Sequence, residues 1–293
     1  MKWWPFNKEP TPSTPPPAPP ARTLEEVLGE DYPAVEALSR PRIRLVSAAG
    51  AGKSPAGRTK LGGLPDMPSG TDWPTLKGNP LSFVAQVDLG AIAGLPGSEV
   101  LPAEGLLLFF YDWDLQYGDV LNERVGFWRV IHATGPLSPR EFPPATHEMA
   151  RFEEVKLSAV ADTQLPNPES LGYLISLEDD VLDEYGDVYY ELPRTEDPLH
   201  QLFGFPEPVQ DDPFAECQID SNALCEGGRK GALDPAWQTL KKGVKDWRLL
   251  LQVDSDDAAG MMWGDVGILY FCIREDDLKK ADFEKVWMIF QCS

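Results

Sequence analysis

The sequence predicts an α+β fold in which two pseudo-repeated halves, each with antiparallel strands and short helices, form one compact unit. Three observations predict it. The first is a weak internal duplication. Leu61-Gly62-Gly63-Leu64-Pro65 leads to Leu81-Ser82-Phe83-Val84-Ala85-Gln86-Val87-Asp88, and after a loop to Glu104-Gly105-Leu106-Leu107-Leu108-Phe109-Phe110. In the second half, Leu202-Phe203-Gly204-Phe205-Pro206 leads to Trp247-Arg248-Leu249-Leu250-Leu251-Gln252-Val253-Asp254, and after a loop to Asp265-Val266-Gly267-Ile268-Leu269-Tyr270-Phe271. The second is that the strand-like runs of each copy are joined by connections too short for a helical crossover, so they pair antiparallel. The third is composition: 293 residues, 42% hydrophobic and 25% charged, bury a sizeable core and exclude wholesale disorder.

Residues 1–22 hold eight of the 29 prolines and read as a disordered, Pro-rich leader, with 23–293 as the folded part. The opening Lys2-Trp3-Trp4-Pro5-Phe6 is too short an apolar stretch for a signal peptide. Thr23-Leu24-Glu25-Glu26 is a capping box that opens a helix, which Pro33 kinks or ends. Arg42-Ile43-Arg44-Leu45 alternates as a short strand with one basic and one apolar face. The repeat halves span about 40–135 and 195–293. In each, period-2 alternation sets Gln and Asp on one face: Gln86 and Asp88 opposite Phe83, Ala85 and Val87, and likewise Gln252 with Asp254. Between the halves lies an acidic middle segment. Arg151 to Leu157 alternates as an exposed strand, and Leu177 to Glu191 has helical spacing with a stripe of Leu177, Val181, Leu182 and Tyr185. A short helix around Asp276–Lys280 and a strand over Val286–Phe290 end the chain.

Gly62-Gly63-Leu64-Pro65-Asp66-Met67-Pro68, followed by Trp73-Pro74 and Leu81 to Asp88, resembles the YwqG-like family of bacterial proteins. Gly204-Phe205-Pro206-Glu207-Pro208-Val209-Gln210-Asp211 and the stretch Leu249 to Cys292 share the resemblance, which covers roughly residues 40–293. It implies a soluble cytoplasmic α+β protein and brings no catalytic residues with it.

A net charge of −21 excludes nucleic acid and anionic membrane surfaces as main partners and suits a basic protein partner. No apolar run approaches the roughly 18 residues of a membrane helix. Four cysteines without zinc spacing, together with the absence of an export signal, give a cytoplasmic expectation; three histidines are too few for a histidine-rich metal site.

Candidate sites follow from residue chemistry. Gln86, Asp88, Gln252 and Asp254 either face one cleft between the halves and read a polar ligand, or satisfy loop amides at strand ends. Trp73 and Trp263, in Gly/Pro-rich or Gly/Met-rich loops, are candidates to edge a pocket or partner surface. The carboxylates Glu178, Asp179, Asp180, Asp183, Glu184 and Asp187 form either a solvated face or a lure for a basic partner. Asp254, Asp256 and Asp257 begin like a calcium loop but lack its glycine and final glutamate, which leaves a divalent cation as an open alternative; no other cofactor is predicted. Ser47 to Ser54 imitates a phosphate-binding loop without its first glycine. Arg40, Arg42, Arg44, Lys53, Arg58 and Lys60 form a basic run expected to dock on the acidic body or to bind an anion. His200 can pair with Cys217 or Cys225 across a loop for nucleophilic catalysis, although nothing in the local sequence marks either thiol as activated. No complete catalytic motif emerges. The expectation is a non-enzymatic protein-binding module of inhibitor, immunity or adaptor type, with its oligomeric state open. The alternative is a small-ligand-binding protein or metal-assisted hydrolase with a cleft between the repeats.

Overall fold

A computed structural model describes residues 22–48, 54–114, 126–192, 198–222 and 234–293. The leader to residue 21, most of the phosphate-loop imitation, Lys53 and Cys225 lie outside the described residues. Two short helices come first, α1 (Leu24–Leu28) and α2 (Tyr32–Glu36). The capping box closes α1: Thr23 Oγ1 accepts the Glu26 N–H at 3.2 Å while Glu26 Oε2 accepts the Thr23 N–H at 2.8 Å. Pro33 sits in the first turn of α2, where its missing N–H costs nothing.

The strands of the first half are β1 (Arg40–Ser47), β2 (Lys60–Leu61), β3 (Asp66–Pro68), β4 (Thr75–Leu76), β5 (Asn79–Pro80) and β6 (Ser82–Asp88). Helix α3 (Leu89–Ile92), β7 (Leu106–Tyr111), β8 (Trp128–Ala133) and β9 (Leu137–Pro139) follow. After β10 (Val155–Gln164) come α4 (Pro168–Leu174), α5 (Asp179–Glu191), β11 (His200–Phe203), α6 (Pro213–Asp220) and α7 (Trp237–Leu240). The chain ends with β12 (Trp247–Asp254), β13 (Ile268–Arg274), α8 (Glu275–Leu278) and β14 (Trp287–Gln291).

Ten strands form one antiparallel sheet in the order β14-β13-β12-β11-β1-β10-β2-β6-β7-β8. Its two end strands curl back toward each other. The Trp128 indole N–H of β8 donates to the Val286 carbonyl at 2.8 Å, and the Trp128 and Trp287 rings meet edge-on at 5.2 Å. The result is a nearly closed, barrel-like sheet with a few short helices around it. Its interior is one apolar cluster that takes Ile43, Leu45, Val87, Leu107, Phe109, Leu251, Val253, Leu269 and Phe271 from strands all around the sheet. Phe109 and Phe271, from β7 and β13, touch across it at 5.1 Å. Each such fully buried side chain contributes about 1.5–3 kcal/mol, so the interior is the main source of stability.

Helices and loops cover smaller clusters outside. Phe83, Leu106, Leu108 and Phe110 pack on Met67, Trp73 and Leu81. Leu249, Tyr270, Cys272 and Ile289 pack under Phe205, Phe214 and Trp237. Helices α1, α4 and α5 share Leu24, Leu28, Leu171, Tyr185 and Val188.

Three expectations need correction. Phe83 does not oppose Gln86. A bulge on β6 shifts the ladder from Phe83↔Phe110 to Ala85↔Phe109, which returns Phe83 to the outer face while Val84 and Ala85 both turn inward. Residues 151–154 are not a strand: Phe152 is buried in the barrel interior, edge-on to Trp263 at 5.3 Å, and pairing begins only at Val155. The terminal elements start one residue from where the pattern put them, at Glu275 and Trp287.

Candidate functional site

Gln86 and Gln252 play matching roles beside short strands. Gln86 Oε1 accepts the Asp66 N–H at 3.0 Å, and its Nε2 donates to the Arg58 carbonyl at 2.8 Å and to Asp66 Oδ2 at 2.6 Å. Gln252 Oε1 accepts the Glu207 N–H at 2.9 Å, and its Nε2 donates to the Leu199 carbonyl at 3.1 Å. Each is fully buried and ties together the two ends of the short strand beside it, β2 or β11. Asp88 donates its N–H to Thr59 Oγ1 at 2.9 Å and caps α3 by accepting the Ala91 N–H at 3.2 Å. Asp254 donates its N–H to His200 Nδ1 at 3.2 Å and accepts the Leu199 N–H at 2.9 Å. These bonds fasten loops at strand ends. Between the two sets stand β11, β1, β10 and β2, and each set lies on its own stretch of sheet.

Glycine shapes the turns the glutamines hold. At Gly62, with φ +52°, a Cβ would lie 2.1 Å from the Glu153 carbonyl oxygen. At Gly204, with φ +67°, it would lie 2.3 Å from Gln164 Oε1. At Gly62 the obstacle is backbone and no side chain fits; at Gly204 the positive φ disfavours one and Gln164 would have to move.

Both tryptophans are interior. Trp73 donates to the Leu81 carbonyl at 2.8 Å and packs on Phe110 and Phe142. Trp263 donates to the Asp254 carbonyl at 3.2 Å inside the barrel, against Tyr111 and Phe152. Asp256 is buried: Oδ1 accepts the Ala258 and Ala259 N–H groups at 2.7 and 3.2 Å, and Oδ2 meets His200 Nε2 at 3.2 Å. The bond to His200 holds its carboxyl below the usual range, against the opposing effect of burial. Asp257 is exposed. Among the described residues no three His, Cys, Asp or Glu side chains are grouped so that they could hold a metal ion. His200 therefore faces a carboxylate and not Cys217, whose thiol lies against Cys272 in the outer core; burial pushes it well above the ordinary thiol range, where it is inert.

The basic run is mostly spent within the molecule, as its counterweight role requires. Arg42 and Arg44 both reach Asp162 at 2.8 Å. Burial alone would raise the Asp162 carboxyl; the bonds and charges of the two arginines outweigh it and hold the group low. Buried Lys60 bridges Glu154 at 3.1 Å and Asp66 at 3.7 Å, and Arg58 meets Asp88 at 3.4 Å.

Arg40 is the exception, and sequence reasoning missed it by counting it only as one of the run. Its guanidinium lies on the faces of Phe205 and Phe214, 4.3 and 5.7 Å from the ring centroids. A buried Nη1 has no hydrogen-bond partner among the described residues. Burial and then the like charge of Arg248 lower its pKa to about 9. In the fold, the β1–β10 register sets Arg40 opposite Gln164, away from the Asp162 that serves Arg42; no local sequence signal marks it.

The acidic helix is as exposed as its pattern implied. Tyr185 and Val188 of α5 face the core, while Glu178, Asp179, Asp180, Asp183 and Asp187 are exposed; half-buried Glu184 pairs with Arg22. Tyr190, 46% exposed, and Leu192, 38% exposed, stand at its C-terminal end, and the Tyr190 hydroxyl donates to Glu169 of α4 at 2.5 Å. Residues 193–197, which hold the rest of the acidic stretch, lie outside the described residues. No helix among the described residues is long and apolar enough to cross a membrane.

No curated protein matches the chain. A family does match, over residues 59–292, which takes in every sheet strand except β1 and both glutamine-clamped turns. The chain belongs to the family described as domain of unknown function (DUF1963).

Proposed function

We propose that this protein is a cytoplasmic, non-enzymatic binding module whose acidic face on α4 and α5 engages a basic protein partner. One observation carries the reading. Five exposed carboxylates from Glu178 to Asp187 share a short helix with exposed Tyr190 and Leu192. An apolar, tyrosine-bearing patch with a charged rim is the anatomy of a protein-binding surface, and the charge would raise the rate of encounter with a basic surface. Among the described residues, Arg22 on Glu184 is the single ion pair made by the side chains from 178 to 192, and the five exposed carboxylates have none there. The described cysteines, Cys217, Cys272 and Cys292, are free thiols, in keeping with a reducing compartment. The expected result is that a protein retained on the tagged full chain at about 50 mM salt is lost by about 300 mM, where the Debye length has shrunk by roughly 2.4-fold. Retention unchanged across that range would contradict the reading.

The same proposal holds that the fold is YwqG-like and arose by duplication. Correspondence of strands supports this: β1, β2, β6, β7 and β8 run parallel in role to β10, β11, β12, β13 and β14. In both copies the bulge falls two residues before the glutamine, at Val84 and at Leu250. The leading strands cross over, β1 to β11 and β10 to β2, so the copies interlock. In this reading the second repeat extends back from residue 195 to Val155.

A further inference from the structure

Arg40 and Arg248 line a cavity of about 260 Å³ that opens where the start of β1, the end of β11, the start of β12, α8 and the turn Gly97–Val100 meet. Pro41, Val100, Phe203, Leu249 and Leu278 give it apolar walls. Its volume is below the roughly 300–1,000 Å³ of pockets for drug-sized ligands, so its occupant is small. Glu275 is the one carboxylate on the wall, and it is already shared by two cations, Arg248 and, at 2.7 Å, Lys279. Asp212 lies near Arg40, but it is buried, pushed upward by that burial, and spends its oxygens on the Ser170 hydroxyl and the Ala215 N–H. Arg248 also donates to the Lys245 and Trp247 carbonyls, at 2.7 and 2.8 Å. Of the two arginines on the wall, Arg40 has no ion-pair partner among the described residues; its guanidinium lies over Phe205 and Phe214, and its Nη1 is unpartnered.

Arg40 is half-buried, but its Nη1 is buried without a hydrogen-bond partner, and the nearby Asp212 and Glu275 act on it only through their charge; a polar group desolvated in this way carries a cost until a partner meets it. The cation–π contacts offset part, and a bound anion would supply the rest through charge-assisted hydrogen bonds. The apolar walls decide the kind of anion, since an inorganic oxyanion would leave them wet and a carboxylate with a hydrocarbon body would fill them. We propose that this cavity is a binding site for a small organic carboxylate, its carboxylate on Arg40 and its apolar body against Val100, Leu249 and Leu278. This site is independent of the acidic face.

The test is calorimetric titration and thermal melting of the full chain with straight-chain carboxylates from butanoate to octanoate and with benzoate. Hexanamide, benzamide and inorganic phosphate serve as controls. At least one carboxylate is expected to bind and raise the melting temperature, and the matching amide to bind at least about tenfold more weakly. Arg40→Gln is expected to abolish the preference for acid over amide. Because Arg40 packs on the outer core, Val100→Trp provides a second variant: Val100 is 39% exposed, and the larger ring would fill the cavity without touching the buried layers. It should keep the fold and lose the ligand. Binding of none of the carboxylates, equal binding of acid and amide, phosphate binding as tightly as any carboxylate, or undiminished binding in Val100→Trp would each overturn the proposal.

Discussion

Asp162 carries two arginines, and that single carboxylate makes stability depend on pH. Its pKa is lowered in the folded protein, so the unfolded chain binds the proton more readily. The stabilisation it provides is fully present above the ordinary value of 3.8 and is lost as pH falls through the lowered folded value. Asp162→Asn should cost about 1–3 kcal/mol in urea unfolding at neutral pH, and the gap to wild type should narrow under acid conditions. A gap independent of pH would mean that the ion pairs contribute nothing. The buried glutamines make a paired prediction. Gln86→Leu and Gln252→Leu each strand a loop N–H and a loop carbonyl, so each should lower unfolding free energy by about 1–3 kcal/mol while leaving the circular dichroism spectrum native. A large loss in one and none in the other would argue against equivalent roles.

Among the elements, the closing contact between β8 and β14 is the most exposed to test. Trp128→Phe removes the indole donor to the Val286 carbonyl and should cost about 1–3 kcal/mol. It should also speed amide hydrogen exchange in β14 more than in β12; uniform exchange would place the seam's contribution elsewhere. Elements with a local cause were legible in the sequence. The Thr23 capping box, the Leu177–Tyr185 stripe and the paired Gln-Val-Asp strands all depend on neighbours a few residues away. The errors have non-local causes. Nothing around Phe83 announces that Val84 will bulge, because the bulge is defined against Phe109 and Phe110 of β7. Arg151 to Glu154 alternates like a strand, yet Phe152 is claimed by Trp263, more than a hundred residues on. Arg40 was hidden for the same reason: its isolation depends on Phe205, Phe214 and Arg248, which only the fold assembles around it.

At the scale of the whole molecule, the nearly closed sheet keeps an apolar interior and spends polar groups on contacts within the molecule. The glutamines clamp loops, and Arg42, Arg44, Arg58 and Lys60 are paired with internal carboxylates. What stays unspent is negative charge, and the described structure leaves a dense part of it on α5. We propose that this face binds the partner. Copurification with the tagged full chain is the most direct measurement, run beside a variant carrying Asp179→Asn, Asp180→Asn, Asp183→Asn and Asp187→Asn. These side chains are exposed, so the variant should melt within about 1 kcal/mol of wild type. One dominant basic protein is expected on the wild-type chain at low salt and is expected to be absent from the variant. The same proteins retained equally on both chains would contradict it.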